Sequence, residues 1–306
     1  MKILITGTDG FIGSNLKNFF MNQGHDVTGT VFMREPEEDE FSVNFTDIES
    51  FKALPDVYYD AVIHTVGIVD QRAKSSLMYD VNVNGTKNLC AWIQEKKCIE
   101  HFVQMSSVTV YGLSMLGQNI TEDQPRYEGS FAIPYMRTKA MAEKVIEESK
   151  IPYSILRLPA VFGQGDTYVS PVIAEFMMNK NFHFYGEGNK LISLMYVKNL
   201  GSLIEIIIKK GPLMDCYNAT DYSIPWKTFA HEYSHLLGCP IPRKQKGYLS
   251  LLLHPFDKKR QLIMMYSLFG THNPDDQLRK ITGWQPPYSW KLGVEDAVAE
   301  ILNKTI

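Results

Sequence analysis

Three glycines spaced by two residues, Gly7, Gly10 and Gly13 in TGTDGFIG, stand between an apolar run, Lys2 to Thr6, and an amphipathic stretch, Phe11 to Asn22. The placement constrains the fold more than the letters do. Strand, glycine turn and helix start together form a cradle in which backbone N–H groups and the positive end of a helix face an anion. Glycine permits the tight turn and the close backbone approach that a pyrophosphate requires. A glycine turn kept only for packing needs neither the preceding strand nor the following helix, so this context favours dinucleotide binding.

The chain continues as that start demands. Short β-branched runs alternate with helical patterns: Asp26 to Phe32, a helix near Asp47 to Leu54, Asp60 to His64, a long helix from about Ser76 to Glu95, Glu100 to Met105, a helix from about Tyr135 to Glu148, and Tyr153 to Leu158. Such alternation predicts an α/β fold, a Rossmann-type doubly wound parallel sheet. After Gly163 the rhythm breaks around Pro171, Gly186, Gly188, Gly211 and Pro212. We therefore expect a dinucleotide-binding domain over 1–163, with about 191–210 returning to it, and a smaller, mainly substrate-binding lobe over 164–306.

Charge narrows the function. A net charge of -3 with no long Lys/Arg run lacks the footprint of a nucleic-acid binder, so the expected partner is a small molecule. Cys90, Cys98, Cys216 and Cys239 show no CxxC spacing, which predicts neither a disulfide framework nor a zinc knuckle. The N-terminus reads directly into a strand, and the apolar runs Leu203 to Ile208 and Leu251 to Leu253 are too short to span a bilayer. A cytoplasmic protein without membrane association is expected.

Tyr135 and Lys139 form YxxxK at the start of a predicted helix, where a four-residue spacing places both side chains on one face. An ammonium beside a phenol favours the phenolate, which makes tyrosine usable as a proton-transfer group. Ser106 and Ser107 end the predicted strand before them, at the carboxyl edge where ligands of such sheets bind. Asn82 lies on the preceding long helix.

In order, TGTDGFIG, HTVG, NVNGTKNL, MSSVTVYG, YMRTK and LRLPAVFG resemble the extended short-chain dehydrogenase/reductase family, of the NAD-dependent epimerase/dehydratase kind. The resemblance covers the first 165 residues and, more weakly, the rest, including the ending DDQLRKITGWQPPYSWKLGVEDAV. It implies Ser107 as the hydroxyl that polarises the substrate, with Ser106 as fallback, Tyr135 and Lys139 as the catalytic pair, and Asn82 as support for the lysine. It further implies a cofactor site of Gly7, Gly10, Phe11, Ile12 and Gly13 at the pyrophosphate, Asn44 and Phe45 at the adenine, Thr65, Val66 and Gly67 at the ribose, Lys139 at the nicotinamide ribose, and Pro159, Ala160 and Val161 at the nicotinamide. It also implies a homodimer paired through the two long helices. For the cofactor itself, the end of the second strand carries no carboxylate at Val31 or Phe32, and Arg34 comes soon after, which favours NADP(H) over NAD(H).

Two departures bear on the substrate. Val108, Thr109 and Val110 stand where dehydratases of the family place an acidic pair, which sets a 4,6-dehydratase aside. Ala160 and Ile192 replace an asparagine and an arginine that resemblance would assign to a substrate diphosphate, so either other cations, such as Lys190 or Arg260, do that task or the substrate carries no diphosphate. The expected activity is the interconversion of a secondary alcohol and a ketone by hydride transfer, as a nucleotide-sugar epimerase or 4-ketoreductase. The alternative is an NADPH-dependent reductase of an apolar, steroid-like or phenolic carbonyl compound, with Leu251 to Phe256 walling its pocket. One motif points elsewhere: His231-Glu232-Tyr233-Ser234-His235 is HExxH, the helical zinc pattern of metallohydrolases. Its longer form fails at Ile241, where a third histidine is due, and Pro240 ends the helix, so no metal is expected.

Overall fold

The computed structural model describes residues 1–70, 72–127, 129, 133–240, 243–245, 263 and 265–305. Its centre is a sheet of seven parallel strands: β1 (Lys2–Thr6), β2 (Asp26–Val31), β3 (Glu40–Ser42), β4 (Tyr59–His64), β5 (Ile99–Ser107), β6 (Tyr153–Leu158) and, after further strands outside this sheet, β10 (Cys216–Asn218). Their order is β10-β6-β5-β4-β1-β2-β3, so the winding reverses between β1 and β4. That reversal opens a crevice at the carboxyl ends of the strands.

Both sheet faces are covered, which is why the strands are buried along almost their whole length. On one face α1 (Phe11–Asn22) presents Leu16 and Phe20 to the sheet, beside Leu203, Ile204 and Ile207 of α6 (Val197–Lys210). Full burial of side chains of this size contributes about 1.5–3 kcal/mol each. The two helices cross closely because Gly201 lacks a Cβ, which would lie 2.4 Å from the Phe19 ring. On the other face Leu89, Trp92 and Ile93 pack with Ile146 of α4 (Pro134–Ser149).

The long helix expected over Ser76 to Glu95 is present in three parts: α2 (Ser75–Tyr79), a π-helical turn (Asp80–Asn84) and α3 (Gly85–Lys96). A π turn adds a residue and rotates the helix beyond it, and here it buries Asn82. The expected helix near Asp47 is a 3-10 helix, Ile48–Ala53, capped by the Asp47 carboxylate on the Glu49 amide.

Of the stretch about 191–210, only the helix α6 packs on the main sheet. Its strand β9 (Leu191–Tyr196) joins β7 (Ala160–Phe162) and β11 (Tyr222–Pro225) in a separate three-stranded sheet. That sheet, α5 (Ser170–Met178) and α7 (Trp226–Leu236) enclose a second core of Phe162, Tyr196, Trp226, Phe229 and Tyr233. Ile192 lies in this core, 1% exposed. β8 (His183–Tyr185) pairs with β12 (Arg243–Gln245). Leu251 to Phe256, Arg260 and Ile241, on which the substrate and metal expectations drew, lie outside the described residues. Among the described residues no helix is long and apolar enough to cross a membrane.

Candidate active site

The glycine loop leaves β1 at the winding reversal. Gly7 takes a positive φ of 71°, and the Gly10 amide closes the turn on the Gly7 carbonyl at 3.0 Å. A Cβ on Gly13 would lie 2.1 Å from that same carbonyl oxygen, and one on Gly7 would meet Val66 and Thr65 at 3.0 and 3.1 Å. The loop is therefore a cradle that side chains would fill, at a helix start with Phe11 and Ile12 in its first turn, and it fits a dinucleotide pyrophosphate. Thr65, Val66 and Gly67 leave β4 beside it, with the Thr65 hydroxyl bonded to the Thr6 carbonyl at 2.6 Å.

The adenine-side pair divides. The Asn44 side chain accepts from the Thr46 amide and hydroxyl, while Phe45 is buried between Phe51 and His64 and packs against Gly85. Phe45 is thus a core residue, and its side chain holds α3 and β4 together. Pro159 joins β6 to β7, whose first residues, Ala160 and Val161, are half-buried on the second core's edge.

At the end of β2, Arg34 is engaged. Its Nη1 lies 2.7 Å from Glu40 Oε2 and its Nη2 donates to Glu40 Oε1 at 2.9 Å. Lys17 and the Thr8 hydroxyl also donate to Glu40, at 2.7 and 2.8 Å. Burial alone would raise the Glu40 carboxyl, but these donors hold it at about 2. Across the same strand end, Asp9 Oδ2 accepts the amides of Phe32 and Met33 at 2.9 and 2.8 Å.

Ser107, Tyr135 and Lys139 come together where β5 ends beneath α4. Ser107 caps the 3-10 helix Val108–Met115, its Oγ accepting from the Thr109 amide at 3.2 Å, and its hydroxyl lies near enough to the Tyr135 phenol to act on it electrostatically. Lys139, one helical turn on, is 6% exposed and donates to the Met105 carbonyl at 2.7 Å. Asn82 spends its amide elsewhere: Oδ1 accepts from the Ile68 amide at 2.7 Å, and Nδ2 donates to the Ile68 carbonyl at 3.0 Å and Thr138 Oγ1 at 3.1 Å. It fastens the loop after β4 to α4 at the residue preceding Lys139.

Burial pushes the Tyr135 phenol up to about 12, against the lowering influence of the Ser107 hydroxyl, and pulls Lys139 down to about 8, against the pull of Glu143. Desolvation, not a lowering by Lys139, sets the balance at the phenol in this structure. Tyr135 is therefore protonated at neutral pH, ready as an acid, and Lys139 is charged up to mildly alkaline pH.

Glu143 is the residue that the motif reading passed over. Lying one turn beyond Lys139 and fully buried, it accepts Ser106 Oγ at 2.5 Å and the Arg157 guanidinium at 2.8 to 3.3 Å. Ser106 is thereby committed to Glu143, which leaves Ser107 as the hydroxyl facing Tyr135. Arg157 also donates to Tyr111 Oη at 3.0 Å. The signal for Glu143 was its four-residue spacing from Lys139 on a helix face that packs inward.

The HExxH residues lie on α7, away from this cluster. His231 is exposed and stacks edge-on against Phe184, Glu232 pairs with Lys291 at 3.7 Å, and His235 is exposed. Among the described residues no three His, Cys, Asp or Glu side chains gather as a metal site.

Known proteins share this family and fold. The model of the NAD dependent epimerase/dehydratase family matches residues 3–219. The chain is 24% identical over 230 residues to the 4-hydroxy-2-methyl-3-oxo-4-farnesyl-3,4-dihydroquinoline-1-oxide ketoreductase of Stigmatella aurantiaca, covering 72% of this chain and 68% of that one. It is 27% identical over 240 residues to the N-acetyl-alpha-D-glucosaminyl-diphospho-ditrans,octacis-undecaprenol 4-epimerase of Escherichia coli O157:H7, covering 72% and 67%. Among solved structures, the Bordetella bronchiseptica enzyme WbmH in complex with NAD+ shares its fold, with a TM-score of 0.79 at 16% identity over 100% of this chain and 99% of that one. The matched segment runs from β1 through the glycine loop and the Ser107, Tyr135 and Lys139 cluster to β10, and the chain belongs to the NAD-dependent epimerase/dehydratase family.

Proposed function

We propose that this protein interconverts a secondary alcohol and a ketone by hydride transfer, with Tyr135 as the proton-transfer group. The observation that carries the reading is the meeting of Ser107 and Tyr135 at the carboxyl end of β5, with Lys139 buried one turn away and bonded to the Met105 carbonyl. Gly7, Gly10, Gly13, Thr65, Val66 and Gly67 would hold a nicotinamide dinucleotide, which supplies the hydride donor or acceptor when bound. In the reducing direction Ser107 donates to the carbonyl oxygen and Tyr135 gives that oxygen its proton; in the oxidising direction Tyr135 takes the hydroxyl proton. Lys139 keeps a positive charge beneath the phenol while the proton moves. The sequence preference for NADP(H) rests on Arg34, which pairs with Glu40, so the choice of dinucleotide turns on that end of β2.

Nucleotide sugars are the first substrate class, in a 4-epimerase or 4-ketoreductase reaction, supported by family membership and by the Escherichia coli 4-epimerase relative. A second reading, reduction of an apolar carbonyl compound, is favoured by Ile192, which is closed into an apolar core, and by the Stigmatella ketoreductase relative. We further infer a homodimer through α2, α3 and α4, and a reducing, cytoplasmic setting that suits four free cysteines.

Turnover with a panel of nucleotide sugars and apolar ketones, followed by nicotinamide absorbance, separates the readings. Net cofactor consumption marks reduction; product inversion without consumption marks epimerisation. Tyr135→Phe keeps the ring and removes the acid, so turnover should fall by roughly 100-fold to 10,000-fold with cofactor still bound. Full activity in that variant would exclude the mechanism.

A further inference from the structure

We propose that Asp9 reads the adenosine ribose of the bound dinucleotide and that the site prefers NAD(H) to NADP(H). The inference rests on the dinucleotide reading of the glycine loop. From sequence alone, the missing carboxylate at Val31 and the presence of Arg34 favour NADP(H). The geometry supplies the missing carboxylate from another element. Asp9 lies inside the glycine loop, yet its Oδ2 is fixed over the end of β2 by the amides of Phe32 and Met33, the two residues just past the strand. An acid at this strand end is the group that hydrogen-bonds a ribose 2′-hydroxyl. Oδ1 takes no part in those two bonds, so the carboxylate keeps an oxygen with which to accept from the ribose.

The same geometry withdraws the cation that a 2′-phosphate requires. The two terminal nitrogens of Arg34 fork onto the two oxygens of Glu40, and Nη1 also donates to the Glu35 carbonyl at 2.8 Å. Lys17 shares Glu40 and lies 3.5 Å from Glu37. Two cations thus face three carboxylates, Glu40, Glu37 and Asp9, before any cofactor arrives. A 2′-phosphate would add up to two further negative charges to that group, whereas a hydroxyl adds none. Phe32 and Met33, whose amides Asp9 holds, are 61% and 84% exposed, an apolar surface that a stacked adenine would cover.

The test is equilibrium binding of NADH and NADPH to the full chain, read by the fluorescence of the reduced nicotinamide. The expected result is tenfold or greater preference for NADH in the wild type. Asp9→Asn should cost NADH on the order of tenfold, the scale of losing one charged hydrogen-bond acceptor, and cost NADPH nothing. A circular dichroism spectrum and melting midpoint keep a misfolded variant from being mistaken for a weak binder, and the wild-type ratio is informative without any variant. A wild type that prefers NADPH overturns the proposal. So does an unchanged ratio in folded Asp9→Asn. Binding of neither dinucleotide would bring down the glycine-loop reading as well, an outcome distinct from both.

Discussion

Replacing Glu143 by Gln tests whether the buried network beneath Lys139 is part of the machinery or a bystander. The substitution keeps shape and removes charge. Arg126 keeps Glu147, at 2.7 and 2.8 Å, so the loss falls on Arg157, whose side chain is 5% exposed and whose other hydrogen bond and ring contact are neutral, the Tyr111 hydroxyl and the Tyr111 ring 4.9 Å from its Cζ, with Glu122 acting on it only at longer range. Leaving one member of a buried ion pair without its partner costs about 3–5 kcal/mol. In a domain somewhat smaller than this chain, that lowers the melting midpoint by roughly 6 to 20 °C. Differential scanning calorimetry measures it directly. Glu143→Leu combined with Arg157→Met removes both charges and should recover much of the loss, because apolar replacement of a buried pair is often neutral. Activity carries a second, independent sign. Lys139 loses its charge as pH rises through about 8, and Glu143 is the cause that holds that value up against burial. Without Glu143 the alkaline limb of the reduction rate should begin at lower pH. The other groups around the ammonium do not substitute: Tyr135 is neutral to about 12, Asn82 is uncharged, and burial and Lys139 hold His64 down to about 3, so it is neutral across the working range. A Glu143→Gln protein melting within 2 °C of wild type (about 1 kcal/mol or less), with an unmoved limb, would refute the reasoning.

Gly13→Ala should abolish dinucleotide binding by fluorescence titration while the folded spectrum persists, because its Cβ would lie 2.1 Å from the Gly7 carbonyl and force the cradle open; binding as tight as wild type would show that the loop has another use. Light scattering over a range of concentrations should report a dimer, and charge reversals at exposed Arg137 and Lys144 on α4 should weaken it; monomer at every concentration would contradict the pairing.

Sequence periodicity carried the parallel sheet because buried strands and amphipathic helices leave different periods in the chain. Tyr135 and Lys139 were legible for a similar reason, since helical spacing alone places them on one face. Other features depend on elements distant in sequence. Arg157 looks like an ordinary strand residue until β6 and α4 are placed side by side, and only then does Glu143 acquire its partner. Arg34 reads as a free cation because Glu40 joins it only through the fold of the β2 to β3 connection. The rotation that buries Asn82 comes from one π turn, which a hydrophobic pattern of period 3.6 does not register. β10 is three residues long, too short to show a period at all.

That short strand has a consequence for how the chain is made. β6 is paired with β5 on one side, and on the other it waits for Cys216–Asn218. During synthesis from the N-terminus, the nucleotide loop, the Tyr135 helix and the six other strands of the sheet emerge before the strand that pairs with the free side of β6. Until then β6 presents unpaired backbone groups along a run of buried apolar residues, the kind of edge that recruits a foreign strand. A released fragment ending at 163 should therefore depend on chaperones, and one ending just past 219 should depend on them less.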